Sequence, residues 1–315
     1  MNTVSKLQIL MAVFNGEPYL REQLDSLVSQ SFSNWELLVS DDCSTDGSLK
    51  VLEEYAARDN RIKIVLEGSH YGSAKLHFMA LIGLADSPYV MTCDQDDVWD
   101  PDKIEVTLNA MRDCEKGDKP ILVCTDLRVV DEGLNIIFPS FLEYSGMDAS
   151  KLDFGYFLAS CLVTGCTMMV NKPLLRLLQV PIDDSKIVMH DWWASLVAAA
   201  FGKVVHLDRA TISYRQHGDN SVGAERFTVR SALSAINQKK KTALETFNQV
   251  EELDRVFGDR LPSQLKNQLG AYLKIKKANP LARIGLMSKS DVWRHGFLRN
   301  AGTLLTFMLL GKADN

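Results

Sequence analysis

The sequence contains no cysteine pair at CxxC spacing, no basic leader ahead of an apolar stretch, no internal repeat and no low-complexity segment. It also lacks any run of about 18 uninterrupted apolar residues, the length that a membrane-spanning helix needs. Each absence excludes something. The six cysteines, Cys43, Cys93, Cys114, Cys124, Cys161 and Cys166, mostly sit in apolar runs. They read as small buried hydrophobes in a reducing compartment, not as a zinc site or a disulfide framework. Without a leader or a spanning segment, the expected location is cytoplasmic. Histidine is scarce, with six residues and no cluster, so the pair His190-Asp191 lacks the further ligands of a phosphohydrolase metal centre. The first loop, Phe14-Asn15-Gly16-Glu17, is apolar and acidic. A triphosphate-binding loop of a nucleotidyltransferase needs glycines and a basic residue there.

What is present is an ordinary globular composition, 46% hydrophobic and 24% charged over 315 residues, enough for one large domain and an appendage. The net charge of -5 is unevenly spread. From Gly223 onward there are 16 Lys and Arg against 8 Asp and Glu, a balance of +8 that leaves -13 for the first 222 residues. No nucleic-acid partner is expected.

The chain opens on a short branched apolar run, Leu7 to Val13, typical of a buried parallel strand. A helix follows through Leu20, Leu24, Leu27 and Val28. Strands are expected at Trp35 to Val39, Arg61 to Leu66 and Tyr89 to Cys93, with helices through Leu49, Leu52 and Tyr55 and through Leu76, Ala80 and Leu84. Such alternation calls for a parallel sheet covered on both faces, with ligands beyond the C-terminal strand ends. The polar clusters at Asn15, at Asp41-Asp42 and at Asp94 to Asp96 all fall at those ends. The last is the densest: five Asp between Asp94 and Asp102. Repulsion makes that costly unless a cation or hydrogen-bond donors compensate it. Asp100 and Asp102 read as caps of the next helix.

Further on, a helix is expected over Ile104 to Met111 and strands over Ile121 to Cys124 and Cys166 to Val170. A helix over Leu152 to Ala159 and another from His190 to Phe201 are expected, then two strands, Lys203 to Leu207 and Thr211 to Tyr214. Beyond Gly223 the chain turns helical and basic. The apolar run Ala301 to Leu310, preceded by Arg294, His295 and Arg299, suits either an anionic membrane surface or packing on the main domain.

Taken together, AVFNG after the first strand, Asp41-Asp42 after the second, CDQDDVWDPDK and the later HDWW resemble the inverting family 2 glycosyltransferases. DQDDVW with HDWW and YRQHGDNSVGA resembles their bacterial rhamnosyltransferase branch more narrowly. The resemblance covers about residues 5 to 225. It implies an α/β fold of the GT-A type, a Rossmann-like, mostly parallel sheet flanked by helices, with a C-terminal helical appendage. The corresponding domains are 1–222 for nucleotide-sugar binding and transfer, and 223–315 as a basic helical region at the membrane surface. The donor would lie against Ala12, Phe14, Asn15, Glu17, Asp42, Gly72, Lys75, Asp94 and Gln95, with Phe14 where the family usually has Tyr and His70-Tyr71 departing from its commoner Asn-x-Gly form. Asp96, aided by His217, would hold Mg²⁺ or Mn²⁺ on the donor diphosphate. Asp191 matches the base that deprotonates the acceptor. Gly165, Trp192 and Trp193 would form the acceptor side, although adjacent tryptophans cannot share one helix face and one of them belongs to the core.

The implied partners are a nucleotide-diphosphate sugar, dTDP-L-rhamnose first and a UDP-hexose as the alternative, and a lipid-linked saccharide of the cell surface. The enzyme would then work at the inner face of the membrane. A non-catalytic nucleotide-binding or regulatory module would explain Asp41-Asp42 but leave Asp94-Gln95-Asp96 and His190-Asp191 without a role.

Overall fold

The computed structural model describes residues 6–218, 236–294 and 296–310. The end of the YRQHGDNSVGA motif, the boundary at 222 and His295 lie outside the described residues. The described residues form two compact units, the first from those up to 142, 163–180 and those from 205 to 218, the second from 143–162, 181–204 and those from 236 onward.

The first unit is built on a nine-stranded sheet. Its opening half follows the expected alternation: β1 Leu7–Val13, α1 Glu17–Val28, β2 Trp35–Asp41, α2 Ser48–Arg58, β3 Ile62–Ile64, α3 Ala74–Leu84 and β4 Tyr89–Cys93. β1 pairs in parallel with β2 on one edge and β4 on the other, with Leu7 level with both Trp35 and Tyr89. Paired on both edges and covered on both faces, β1 is apolar except for Gln8, whose carboxamide bonds Glu36 and the amides of Asp86 and Ser87, and only Ala12 of its seven residues is not buried.

The second half of the sheet departs from the parallel pattern. After β5 Val98–Trp99 and α4 Lys103–Cys114 come β6 Ile121–Val130, β7 Ile136–Phe138 and α5 Phe141–Tyr144. Then β8 Met168–Asn171 inserts between β4 and β6, antiparallel to both. The expected strand from Cys166 begins later, because Gly165–Thr167 first makes a 3-10 turn. α7 Lys172–Leu178 was not expected; Pro173 in its first turn is compatible with a helix start. β9 Lys203–Arg215 is one continuous strand and not two, with β5 antiparallel to it through Val98 and Ser213.

The second unit is helical: α6 Phe154–Ala159, α8 His190–Phe201, α9 Ile236–Phe257, α10 Ser263–Ile275, α11 Pro280–Ser290 and α12 Phe297–Met308. Aromatic rings fill its centre. Phe247 stacks on Tyr272 at 4.8 Å, and Phe307 meets both rings at 6.0 Å. The apolar run ending at Leu310 is therefore half committed: Phe307 and Leu310 are buried, Leu305 and Leu309 exposed.

Candidate active site

The loops after β1 and β2 are laced together by polar side chains. Asn15 has a left-handed backbone, φ 48°, which Asn tolerates better than most residues. Its carboxamide oxygen accepts from the Thr45 amide at 2.8 Å, and its own amide donates to Ser44 Oγ at 2.8 Å. Gly16 N donates to Ser48 Oγ, Glu17 N to Asp46, and Gly47 N returns a bond to the Glu17 carboxylate. Asn15 and Glu17, expected against the donor, thus act as braces between two loops.

Gln95 does the same from β4. It accepts from Phe14 N at 2.8 Å and donates to Phe14 O at 3.0 Å. Gln95, expected on the donor side, clamps the backbone of Phe14, a residue that is 52% exposed. Gly16 makes room for this clamp: a Cβ there would stand 2.6 Å from the Gln95 amide carbon.

Asp42 is buried at the end of β2. Its carboxylate accepts from Tyr71 N at 2.5 Å and Gly72 N at 2.9 Å, with His70 Nδ1 at 3.1 Å. Gly72 takes a left-handed backbone, φ 69°, to present that amide. Lys75 stands in the first turn of α3, half-buried.

At the end of β4 the acidic run divides by environment. Asp96 Oδ2 and His217 Nε2 share a hydrogen bond at 2.8 Å, which joins residues 121 positions apart. Arg215, missed in the sequence reading, organises this corner. It is 2% exposed; its Nε donates to the Asp96 carbonyl at 2.9 Å, its guanidinium reaches the Glu132 carbonyl and the Glu22 carboxylate, and its amide donates to Asp97. Tyr19 lies beneath, its ring 4.7 Å from the Arg215 guanidinium carbon and 4.7 Å from the His217 ring. The sequence signal was available in the same Tyr-Arg-Gln-His stretch that supplied His217.

Asp97 has no solvent exposure, and burial, reinforced by the charges of Asp96 and Asp94, pushes its pKa well above the carboxylate range. The Cys166 thiol beside it is likewise pushed up by burial. Lys103 is fully buried too, with no hydrogen-bond acceptor among the described residues, 4.6 Å from the Trp99 ring, and burial lowers its pKa to about 8. Gly165 accepts from Thr92 Oγ1 at 2.5 Å.

Asp94, Asp97 and Cys166 bring donor atoms within 4.8 Å of one another. The soft thiol of Cys166 suits a hard divalent ion poorly. Asp96 and His217 suit it better. A carboxylate and an imidazole are donors that such an ion accepts.

Asp102 stands at the N-cap of α4 but makes no side-chain cap bond, and both acids spend their carboxylates on arginines. Asp100 makes a two-pronged pair with Arg128 of β6 at 2.6 and 2.7 Å, and Asp102 pairs with Arg209 of β9.

In the second unit, Asp191 is half-buried in the first turn of α8, accepting from Trp192 N at 2.6 Å. His190 is buried, and burial lowers its pKa to about 3, so it is a neutral ring. Trp193 corrects the expected acceptor surface. It is 0% exposed and packs toward Phe257 at 6.4 Å, so it is the core member of the pair. Trp192 is half-buried, its indole N–H donating to Phe157 O at 2.7 Å.

A parallel sheet with carboxylates gathered at its C-terminal strand ends, extended by antiparallel strands, is the GT-A type of glycosyltransferase fold. The chain belongs to that class, and within it to glycosyl transferase family 2, whose sequence model matches residues 8–176. It is 32% identical to the dTDP-rhamnosyl transferase RfbG of Shigella flexneri over 68% of this chain and 74% of that protein. It is 34% identical to the UDP-Glc:alpha-D-GlcNAc-diphosphoundecaprenol beta-1,3-glucosyltransferase WfgD of Escherichia coli over 56% of this chain and 64% of that one. Among solved structures, the mannosyltransferase PcManGT of Pyrobaculum calidifontis, in complex with GDP-Man and Mn²⁺, superimposes with a TM-score of 0.57 at 17% identity, covering 99% of this chain and 83% of that one.

Proposed function

We propose that this glycosyltransferase moves L-rhamnose from dTDP-L-rhamnose to a lipid-linked saccharide, with inversion at the anomeric carbon. The observation that carries the transfer chemistry is the Asp96–His217 pair at the strand ends. These two residues would hold Mg²⁺ or Mn²⁺, and a divalent ion bound there supplies positive charge against the diphosphate as it leaves. The exposed Phe14 ring, held by Gln95, offers a face for the base. Asp42 has two amides and one imidazole on a carboxylate with about four acceptor sites, so room remains for the imide of thymine or uracil. Ala12, Gly72, Lys75 and Asp94 complete the donor side, and Gly165 and Trp192 the acceptor side. Asp191 takes the proton of the attacking hydroxyl as general base.

The choice of rhamnose is supported by the likeness to RfbG, and a UDP-hexose by the likeness to WfgD. WfgD, by its name, acts on a diphosphoundecaprenol-linked sugar, which supports a lipid-linked acceptor and a place at the inner face of the membrane. Turnover with dTDP-rhamnose, UDP-glucose and UDP-galactose, each with Mn²⁺ and Mg²⁺, decides the donor. Use of UDP-hexoses alone would defeat rhamnose. Asp96→Ala is expected to abolish divalent-dependent turnover; undiminished activity would remove Asp96 as the ligand.

A further inference from the structure

The last three helices carry almost no negative charge. Between Ser263 and Leu310 there are eight Lys and Arg and one acidic residue, Asp291. Arg283 of α11, 4% exposed, draws these helices together. It donates to Ile275 O of α10 at 3.2 Å, to Phe307 O of α12 at 2.7 Å and to Leu310 O at 2.8 Å. Large apolar side chains of the same segments remain exposed. Leu281 is 81% and Ile284 40% exposed, three residues apart on α11; Leu305 is 40% and Leu309 47% exposed, four residues apart at the end of α12. Spacing of three or four places each pair on one helix face. The opposite faces already fill the core through Tyr272, Met287 and Phe307, so the outward residues are surplus to packing. Lys274 and Lys277, at the α10 end that Arg283 grips, are also exposed.

We propose that this end of α10, α11 and α12 docks on an anionic lipid bilayer, with Leu281, Ile284, Leu305 and Leu309 entering the headgroup boundary and Lys274 and Lys277 meeting the headgroups. Charge selects this occupant. A protein partner's interface is depleted in lysine, and a second copy would set like charges opposite one another. Shallow insertion of a basic apolar face is the interfacial mode of membrane binding, and no described helix is long and apolar enough to cross a membrane. The inference deepens the lipid-linked acceptor reading by naming the surface that brings the enzyme to it.

The test is cosedimentation of the full chain with vesicles of phosphatidylcholine plus phosphatidylglycerol, and with phosphatidylcholine alone. Binding is expected to the anionic vesicles, weakened by salt. It should fall by on the order of tenfold in Leu281→Ser/Leu309→Ser. In Lys274→Glu/Lys277→Glu it should fall at least as far, since each basic residue near such a surface is worth about fivefold. Both pairs are at the surface, and thermal melting checks that each variant folds. Wild-type chain left in the supernatant, equal binding to both vesicle types, or unchanged binding of either folded variant would overturn the proposal. A dimer dissolved by the leucine variant would overturn it in favour of a second copy. Turnover of a water-soluble acceptor is expected to persist in all variants. Its absence in the wild type defeats the catalytic reading while leaving the vesicle result standing.

Discussion

Gly16 has no side chain because the Gln95 amide occupies the place where one would stand, 2.6 Å from an added Cβ. Gly16→Ala should therefore push the flexible Gln95 side chain off the Phe14 backbone, at the cost of the two hydrogen bonds it makes there, about 1 kcal/mol. Gly16→Ala/Gln95→Ala loses the same bonds and should cost less than the sum of the single changes, a non-additivity expected of touching residues. Urea denaturation of both single variants and the double measures it, and simple additivity would disprove the clamp. Lys103 makes a second prediction. Its pKa of about 8 lies below the ordinary 10.5, so between those values the unfolded chain binds more protons than the folded one and stability rises with pH. Below about pH 8 the cost of the buried charge is present in full, on the order of 3 kcal/mol at pH 7. Lys103→Met, which keeps the volume, should be more stable than the wild type at pH 7, with the gap closing toward pH 10.5. A gap independent of pH, or a less stable variant at neutral pH, would refute the buried-charge argument.

Among the elements, those stated by local pattern alone stand close to expectation. β1, β4 and α8 have the expected bounds, because buried strands and an apolar helix announce themselves by composition. β5, only two residues long, carries too little periodicity to be seen. The local rule that favours acids at a helix start does put Asp102 at the N-cap of α4; the carboxylate partners of Asp100 and Asp102, Arg128 and Arg209, lie on distant strands that no local rule reaches. The helical unit contains a tight contact of its own: a Cβ on Gly155 of α6 would meet the Asp291 carbonyl at 2.5 Å and the Ser290 carbonyl at 2.7 Å. Backbone cannot yield as a flexible side chain can, so Gly155→Ala should destabilise this unit by about 2 kcal/mol or more. A shift of the denaturation midpoint checks it, and an unchanged midpoint would mean that α6 is free to move away.

For the whole molecule, the proposed division of labour predicts that Asp191→Asn keeps donor affinity, measured by calorimetry, while transfer falls by roughly 10² to 10⁴. Normal transfer would place the base elsewhere. The family and the α/β architecture were legible in the sequence, because alternating periods and ordered motifs are properties of the chain itself. So were the residues that gather at the ends of β1, β2 and β4, since a parallel sheet puts every strand's C-terminus on one edge. What only the tertiary structure decided is the use each residue makes of its atoms. Asn15, Glu17 and Gln95 hold loops, Trp193 fills the core, Arg215 ties Asp96 and Asp97 to β9, and the apolar tail divides between the interior and the surface. The reason is that burial and hydrogen-bond partners are set by residues remote in sequence: Gln95 meets Phe14 across 81 positions and His217 meets Asp96 across 121.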